Sequence, residues 1–184
     1  MAEITIRAAR PTEADGIARI DVETWRSTYA GLLSAPFLTG LSVQRRTAGW
    51  RNVIAHEPED VRVAVDAEGE ILGFGSCGAC RGEPGFTGEV FTLYVGPDWQ
   101  NQGIGRRLLL ALFARLVAAH RHSAIIWVLR DNPARFFYQR LGGRQVSRKM
   151  LAIAGMPVSA AAFGWPDLPG FLATLDGQDR RSQE

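Results

Sequence analysis

The chain has 184 residues, 46% of them hydrophobic, and a formal net charge of +2. That length and composition describe one globular domain able to bury a core. The small charge argues against nucleic acid or an anionic membrane as partner, and no apolar run approaches the ~20 residues of a membrane span. The first ten residues alternate polar and apolar without a signal-peptide core, so a cytosolic location is the expectation.

Ile4, Ile6 and Ala8 alternate with polar residues and predict a first strand. Pro11 breaks it, and Thr12 with Asp15 resembles a helix N-cap pattern. Ala14, Ile17, Ile20 and Thr24 give that helix an inward face. A Gly/Pro-punctuated stretch from Gly31 to Gly40 leads to a second helix over Val43–Ala55, with Val43, Trp50 and Ile54 as its apolar face. Val61, Val63 and Val65 alternate, Ala67-Glu68-Gly69 turns the chain, and Ile71–Gly75 returns as a strand. Arg81–Gly88 is a Gly/Pro-rich loop, and the β-branched and aromatic Val90–Val95 is a strand.

In Gly103–Ala119, Ile104, Leu108, Leu112 and Leu116 fall one helical turn apart, with Leu109 and Phe113 beside them. Ile125–Leu129 has the short apolar run of a strand buried on both faces. Pro133–Leu141 reads as a helix with Pro in its first turn and Gly142-Gly143 past its end. Gln145–Ile153 and Val158–Trp165 close the domain, which is expected to span 1–175, leaving 176–184 as a polar, frayed tail. The order of elements suggests one mixed sheet with helices on both faces.

Cys77 and Cys80 form a single Cys-x-x-Cys pair. A zinc site needs two more ligands, and His56, His120 and His122 lie far away in sequence. A thioredoxin-like motif would open a helix, whereas a Gly/Pro-rich turn follows here. The two read as plain thiols of a reducing compartment.

The chemistry concentrates in Phe91–Arg106. A strand ends at Val95, Pro97 and Asp98 turn the chain, and Gly103 and Gly105 head an amphipathic helix. The first turn of a helix carries N–H groups without intrahelical partners and a partial positive charge. Two glycines there remove the Cβ atoms that would hold an anion off, which suits a phosphate or pyrophosphate. Arg106 and Arg107 add countercharge. Gly105 is followed by Arg106-Arg107, not the Lys-Ser/Thr of a P-loop, and Leu108 is too large for a dinucleotide fingerprint.

Gln100-x-x-Gly103-x-Gly105, with the preceding strand and the downstream Asn132-x5-Tyr138-x3-Gly142, resembles the pyrophosphate loop and flanking elements of the GNAT superfamily of acyl-CoA N-acyltransferases. The resemblance runs from Ile4 to Trp165 and is densest at Glu89–Leu112 and Asn132–Gly142. It implies an α/β (α+β) fold: a single mixed, mostly antiparallel seven-stranded sheet, helices on both faces, and a splayed parallel central strand pair, here Val90–Val95 and Ile125–Leu129. It also implies acetyl-CoA as co-substrate and an amine as acceptor, with no covalent enzyme intermediate and a tendency to homodimerise.

By the same resemblance, Leu93, Tyr94 and Val95 hold the pantetheine arm like an added strand. The loop Gln100, Asn101, Gln102, Gly103, Ile104, Gly105 and Arg106 holds the pyrophosphate, and Asn132 contacts the pantetheine. Tyr138 protonates the departing thiolate, Glu89 acts as base toward the amine, and Trp25 and Tyr29 line the acceptor side. Each of these also has an ordinary structural reading. Tyr138, Trp25 and Tyr29 suit a core, Glu89 a strand end, and Asn132 a cap on the helix starting at Pro133. Two departures from the family pattern stand out. Asn132 lies six residues before Tyr138 where seven is common, and Gly142-Gly143 replaces the usual Gly-Phe. A non-catalytic CoA-binding sensor on the same fold is the alternative reading.

Overall fold

The computed structural model describes residues 3–181. Strands β1 (Thr5–Ala8), β2 (Val61–Val65), β3 (Ile71–Ala79), β4 (Gly88–Val95), β5 (Ala124–Leu129), β6 (Arg144–Ile153) and β7 (Met156–Trp165) form one sheet in the order β1-β2-β3-β4-β5-β7-β6. Every neighbouring pair is antiparallel except the central β4–β5, which is parallel. This is the mixed seven-stranded sheet expected from the sequence.

Helices α1 (Ala14–Thr28) and α3 (Val43–His56) cover one face, where Ile17, Ile20 and Ile54 pack with Val61, Val63 and Phe74. Helix α4 (Ile104–Ala118) covers the other, and all six of its predicted apolar positions are buried. The close fit of α4 depends on glycine in β3. A Cβ on Gly75 would lie 2.6 Å from Leu112 Cδ1 and 2.9 Å from the Thr92 carbonyl oxygen, so glycine here accommodates the close approach of the helix and of β4.

The short helices α2 (Ala35–Thr39) and α5 (Ala134–Arg140) complete the frame of the site, and α6 (Leu168–Arg181) follows the last strand. The sequence reading placed no element after Trp165, where the structure has α6. Pro is tolerated in a first helical turn, and Asp167 Oδ1 accepts the Gly170 N–H at 3.0 Å in an N-cap arrangement. Leu168 is fully buried, and Phe171 and Leu172 pack on the α4 core, which anchors the helix. The polar tail expected from residue 176 is therefore helical through Arg181, and residues 182–184 lie outside the described residues.

Strand β3 also runs past its predicted end at Gly75 and carries Cys77 into the core beneath α4. Burial pushes the Cys77 thiol up to about 12, with Asp60 adding to the rise, so it is a packing group. Cys77 and Cys80 are both free thiols. No described helix is long and apolar enough to cross a membrane.

One irregularity shapes the centre of the sheet. Ser76 pairs with Thr92 and Cys77 with Val90, which leaves Phe91 as an extra residue in β4. A bulge bends its strand and increases the local twist. The β4–β5 pairing consists of Gly88↔Ala124, Glu89↔Ile125 and Val90↔Ile126, and it stops at the residue before the bulge. From there the two strands diverge.

Candidate active site

The divergence opens a cleft of about 750 Å³. Its sides are β4 from Phe91 to Val95 and β5 from Ile126 to Val128. The edge of β4 that faces β5 has no strand partner over this length, so its backbone groups are available to an extended ligand. Leu93 and Val95 turn their side chains toward α4, while Tyr94 packs beside Phe74 on the opposite face.

At one end stands the head of α4. Gly103 caps it with φ +80°, a backbone conformation that favours glycine, and Asn101 before it is also left-handed at φ 62°. The first bond across the cap runs from the Arg107 N–H to the Gly103 carbonyl, 3.1 Å, so the N–H groups of the preceding turn have no intrahelical partner. A Cβ on Gly105 would meet nothing closer than Phe137 at 3.5 Å. Internal packing thus does not require glycine there, and its effect is to keep space open on the cleft side. Arg106 and Arg140 both line the cleft. Unpaired amides, an open glycine and two guanidinium groups fit a pyrophosphate-bearing ligand such as coenzyme A.

Gln100, Asn101, Gly103, Gly105 and Arg106 all line this end. Gln100 turns its amide back to the Val95 carbonyl at 3.1 Å, tying loop to strand. Gln102 lies outside the lining and donates instead to the Asp98 carbonyl at 3.2 Å. The Ile104 side chain is buried with Leu72 and Leu108, so only its backbone belongs to the loop.

At the other end the last turn of α1 enters, with Thr24, Ser27, Thr28 and Tyr29 on the wall. Arg26 holds α2 against α1 by donating to the Leu38 and Leu41 carbonyls at 3.1 and 2.9 Å. Tyr29, Leu33 and Leu38 then pack with Leu129 and Ala160, closing this end. Trp25 is one layer behind the wall, its ring 4.8 Å from that of Tyr29 and capped by Arg46 at 5.5 Å. The sequence carried no signal for Ser27, Thr28, Arg140 or Trp127, which join the wall only through folding. The Thr24 hydroxyl is buried without a partner among the described residues.

Three phenols converge here. Tyr138 lines the cleft from α5 and is 5% exposed, packed against Phe137, Phe163 and Trp165. Burial pushes its pKa well up, with Tyr29 adding to the effect. Burial also raises Tyr29, opposed by the nearby Asn132 and Tyr94 side chains, and it raises Tyr94 strongly. All three are neutral donors at neutral pH. Asn132 lines the cleft and caps α5 as well, its Oδ1 accepting the Ala134 N–H at 2.9 Å.

Glu89 is not brought into the cleft. Glu89 is buried, and its carboxylate is taken up by Arg81, whose Nη2 lies 2.8 Å from Oε1 and whose backbone N lies 2.9 Å from Oε2. The Arg81 guanidinium in turn covers the ring of Phe91 at 4.1 Å, and Phe91 is the wall residue. The family resemblance made Glu89 an expected base, but the bulge at Phe91 separates it from the part of β4 that lines the cleft, and a bulge re-aims neighbouring side chains. Among the described residues no carboxylate or imidazole lines the cleft. The other buried carboxylate among the described residues is Asp21 of α1, for which the sequence carried no signal. It accepts from Trp50 Nε1 at 2.9 Å and pairs with Arg46 at 3.4 Å, outside the lining.

Comparison with known proteins matches this geometry to a family. Residues 22–143 match the model of the acetyltransferase (GNAT) family. The uncharacterised N-acetyltransferase YuaI of Bacillus subtilis is 32% identical over 175 residues, covering 94% of this chain and 99% of that one. The L-methionine sulfoximine/L-methionine sulfone acetyltransferase of Pseudomonas aeruginosa is 33% identical over 129 residues, covering 69% and 72%. The fold resembles that of the PaiA N-acetyltransferase of Thermoplasma acidophilum, solved with coenzyme A, at a TM-score of 0.62 and 19% identity over 86% of this chain and 98% of that one. With an acyl-CoA as co-substrate, the chain belongs to the GNAT family and is an N-acetyltransferase.

Proposed function

We infer that the protein moves the acetyl group of acetyl-CoA to the primary amine of a small, polar, amino-acid-like acceptor. The observation that carries this reading is the pairing of opposite helix poles on one cleft. The α4 N-terminus, with Arg106, stands at one end, and the α1 C-terminus, with Thr24, Ser27 and Thr28, at the other. The first pole favours the anionic cofactor and the second an ammonium group. The packing of Leu38 of α2 with Tyr29 behind this end supports a small-molecule acceptor. The named substrate of the Pseudomonas relative, methionine sulfoximine, is of this class. A cytoplasmic setting accompanies the reading and suits two unpaired thiols.

In this reading the amine attacks the thioester carbonyl directly. Tyr138, held neutral by burial, donates a hydrogen bond to the thiolate as it leaves. Asn132, fixed by its capping bond, orients Tyr29 on the acceptor side. With Glu89 bound by Arg81, the amine loses its proton to water rather than to a protein carboxylate.

The test is a panel of small amines with acetyl-CoA, read by release of CoA thiol and by product mass. Amino-acid-like amines should be acetylated in preference to peptides. Turnover confined to protein or peptide amines would refute the acceptor assignment.

A further inference from the structure

Twenty of the 21 lysine and arginine side chains of this protein are arginine, and the single lysine is Lys149. Lys149 lies on β6, paired in register with Ala160 of β7, which pairs with Leu129 of β5. Its ammonium sits 3.7 Å from the centroid of the Trp127 ring, two residues back along β5. Between them β7 carries the small residues Ala160 and Ala162 on the rows of Lys149 and Trp127. Trp127 lines the cleft and follows Ile126, where the two central strands part. Among the described residues Lys149 forms no ion pair, so only the ring contact holds it.

We propose that Lys149 is a self-acetylation site, modified in cis by the cleft it borders. The inference rests on the acetyl-transfer reading above. Guanidinium groups stay protonated and do not take an acyl group, so an arginine surface is inert to the protein's own chemistry. The one side chain of nucleophilic amine type lies on a flexible four-carbon stem against Trp127, a residue of the cleft wall. The neutral Nζ attacks the thioester carbonyl, a C–N bond forms, and the C–S bond breaks. The nitrogen loses one proton to solvent and the departing thiolate takes one up, giving an amide and CoA thiol. The amide is uncharged, so the cation–π contact with Trp127 is lost and the wall is altered.

The test incubates the purified protein with acetyl-CoA and no added amine, then measures intact mass and maps peptides. One acetyl group on Lys149 is expected, at a rate unchanged on tenfold dilution of the protein. Lys149→Arg should remain unmodified there. Excess CoA, which competes for the cleft, should suppress the reaction. Acetylation that CoA does not suppress would be solution chemistry, and a rate that scales with protein concentration would be transfer between molecules. Either overturns the proposal, as does an unmodified Lys149 in a preparation that acetylates a small amine. If acetyl-CoA neither raises the melting temperature nor is consumed with any amine, the acetyl-transfer reading itself has failed and takes this proposal with it.

Discussion

Arg81 holds both carboxylate oxygens of Glu89, one through its guanidinium at 2.8 Å and one through its backbone N–H at 2.9 Å. The pair is asymmetric, because the Arg81 side chain is 66% exposed and Glu89 is 5% exposed. Glu89 thus depends on Arg81 more than the reverse. Arg81→Ala leaves a buried carboxylate with only a backbone donor and should cost about 1–3 kcal/mol, less than a fully buried pair because Arg81 is solvated. Glu89→Gln should lower the melting temperature slightly and leave the shape of kcat/KM against pH unchanged. A Glu89→Gln deficit concentrated at low pH would restore Glu89 as the base.

Tyr138→Phe keeps the ring among Phe137, Phe163 and Trp165 and removes one hydroxyl. Stability should change little. General acid groups contribute ~10²–10⁴-fold, and the low end is expected because a thiolate leaves readily unaided. The signature is a lower kcat with the KM for acetyl-CoA almost unchanged. Burial raises the phenol, so it stays protonated up to and beyond its ordinary pKa. Wild-type activity should then show no loss of an acid between neutral pH and about pH 9. Steady-state rates measured where chemistry is limiting check both points.

The two loop glycines should respond differently. Gly103 sits at φ +80°, so Gly103→Ala strains the backbone by about 1–2 kcal/mol. At Gly105 a Cβ finds only ordinary contacts, so the fold should tolerate Gly105→Val. Its branched side chain would occupy the cofactor end of the cleft. Affinity for acetyl-CoA should fall at least tenfold, about 1.4 kcal/mol. Calorimetric titration of a folded Gly105→Val protein that binds as tightly as wild type would exclude the loop assignment.

Asp21 links stability to pH. Burial raises its pKa, opposed by the Trp50 hydrogen bond and by Arg46. A raised carboxylate means the folded state binds more protons than the unfolded one between the two pKa values. Stability therefore falls as pH rises through that window and stays at the lower level at neutral pH. Asp21→Asn retains an acceptor for Trp50 Nε1 and should flatten this acidic dependence. Asp21→Ala orphans the indole N–H and should cost about 1–3 kcal/mol. Thermal melts of both variants from acid to neutral pH distinguish the two effects.

Local patterns in the sequence determined the strands, the α4 stripe and the Gly103–Gly105 helix head, because periodicity and backbone freedom are properties of neighbouring residues. They also put Tyr138 in a short helix and Asn132 just ahead of it, as its cap. Their limit shows at Glu89 and at Lys149. Only the tertiary structure decided that Phe91 is an extra residue in β4, that the bulge ends the pairing with β5 at Val90, and that Arg81 takes Glu89 away from the cleft. It likewise decided that the last turn of α1 and Trp127 of β5 face the same space. These are contacts between segments far apart in the chain. Their side chains meet through sheet register and twist, which are set by the packing of the whole domain.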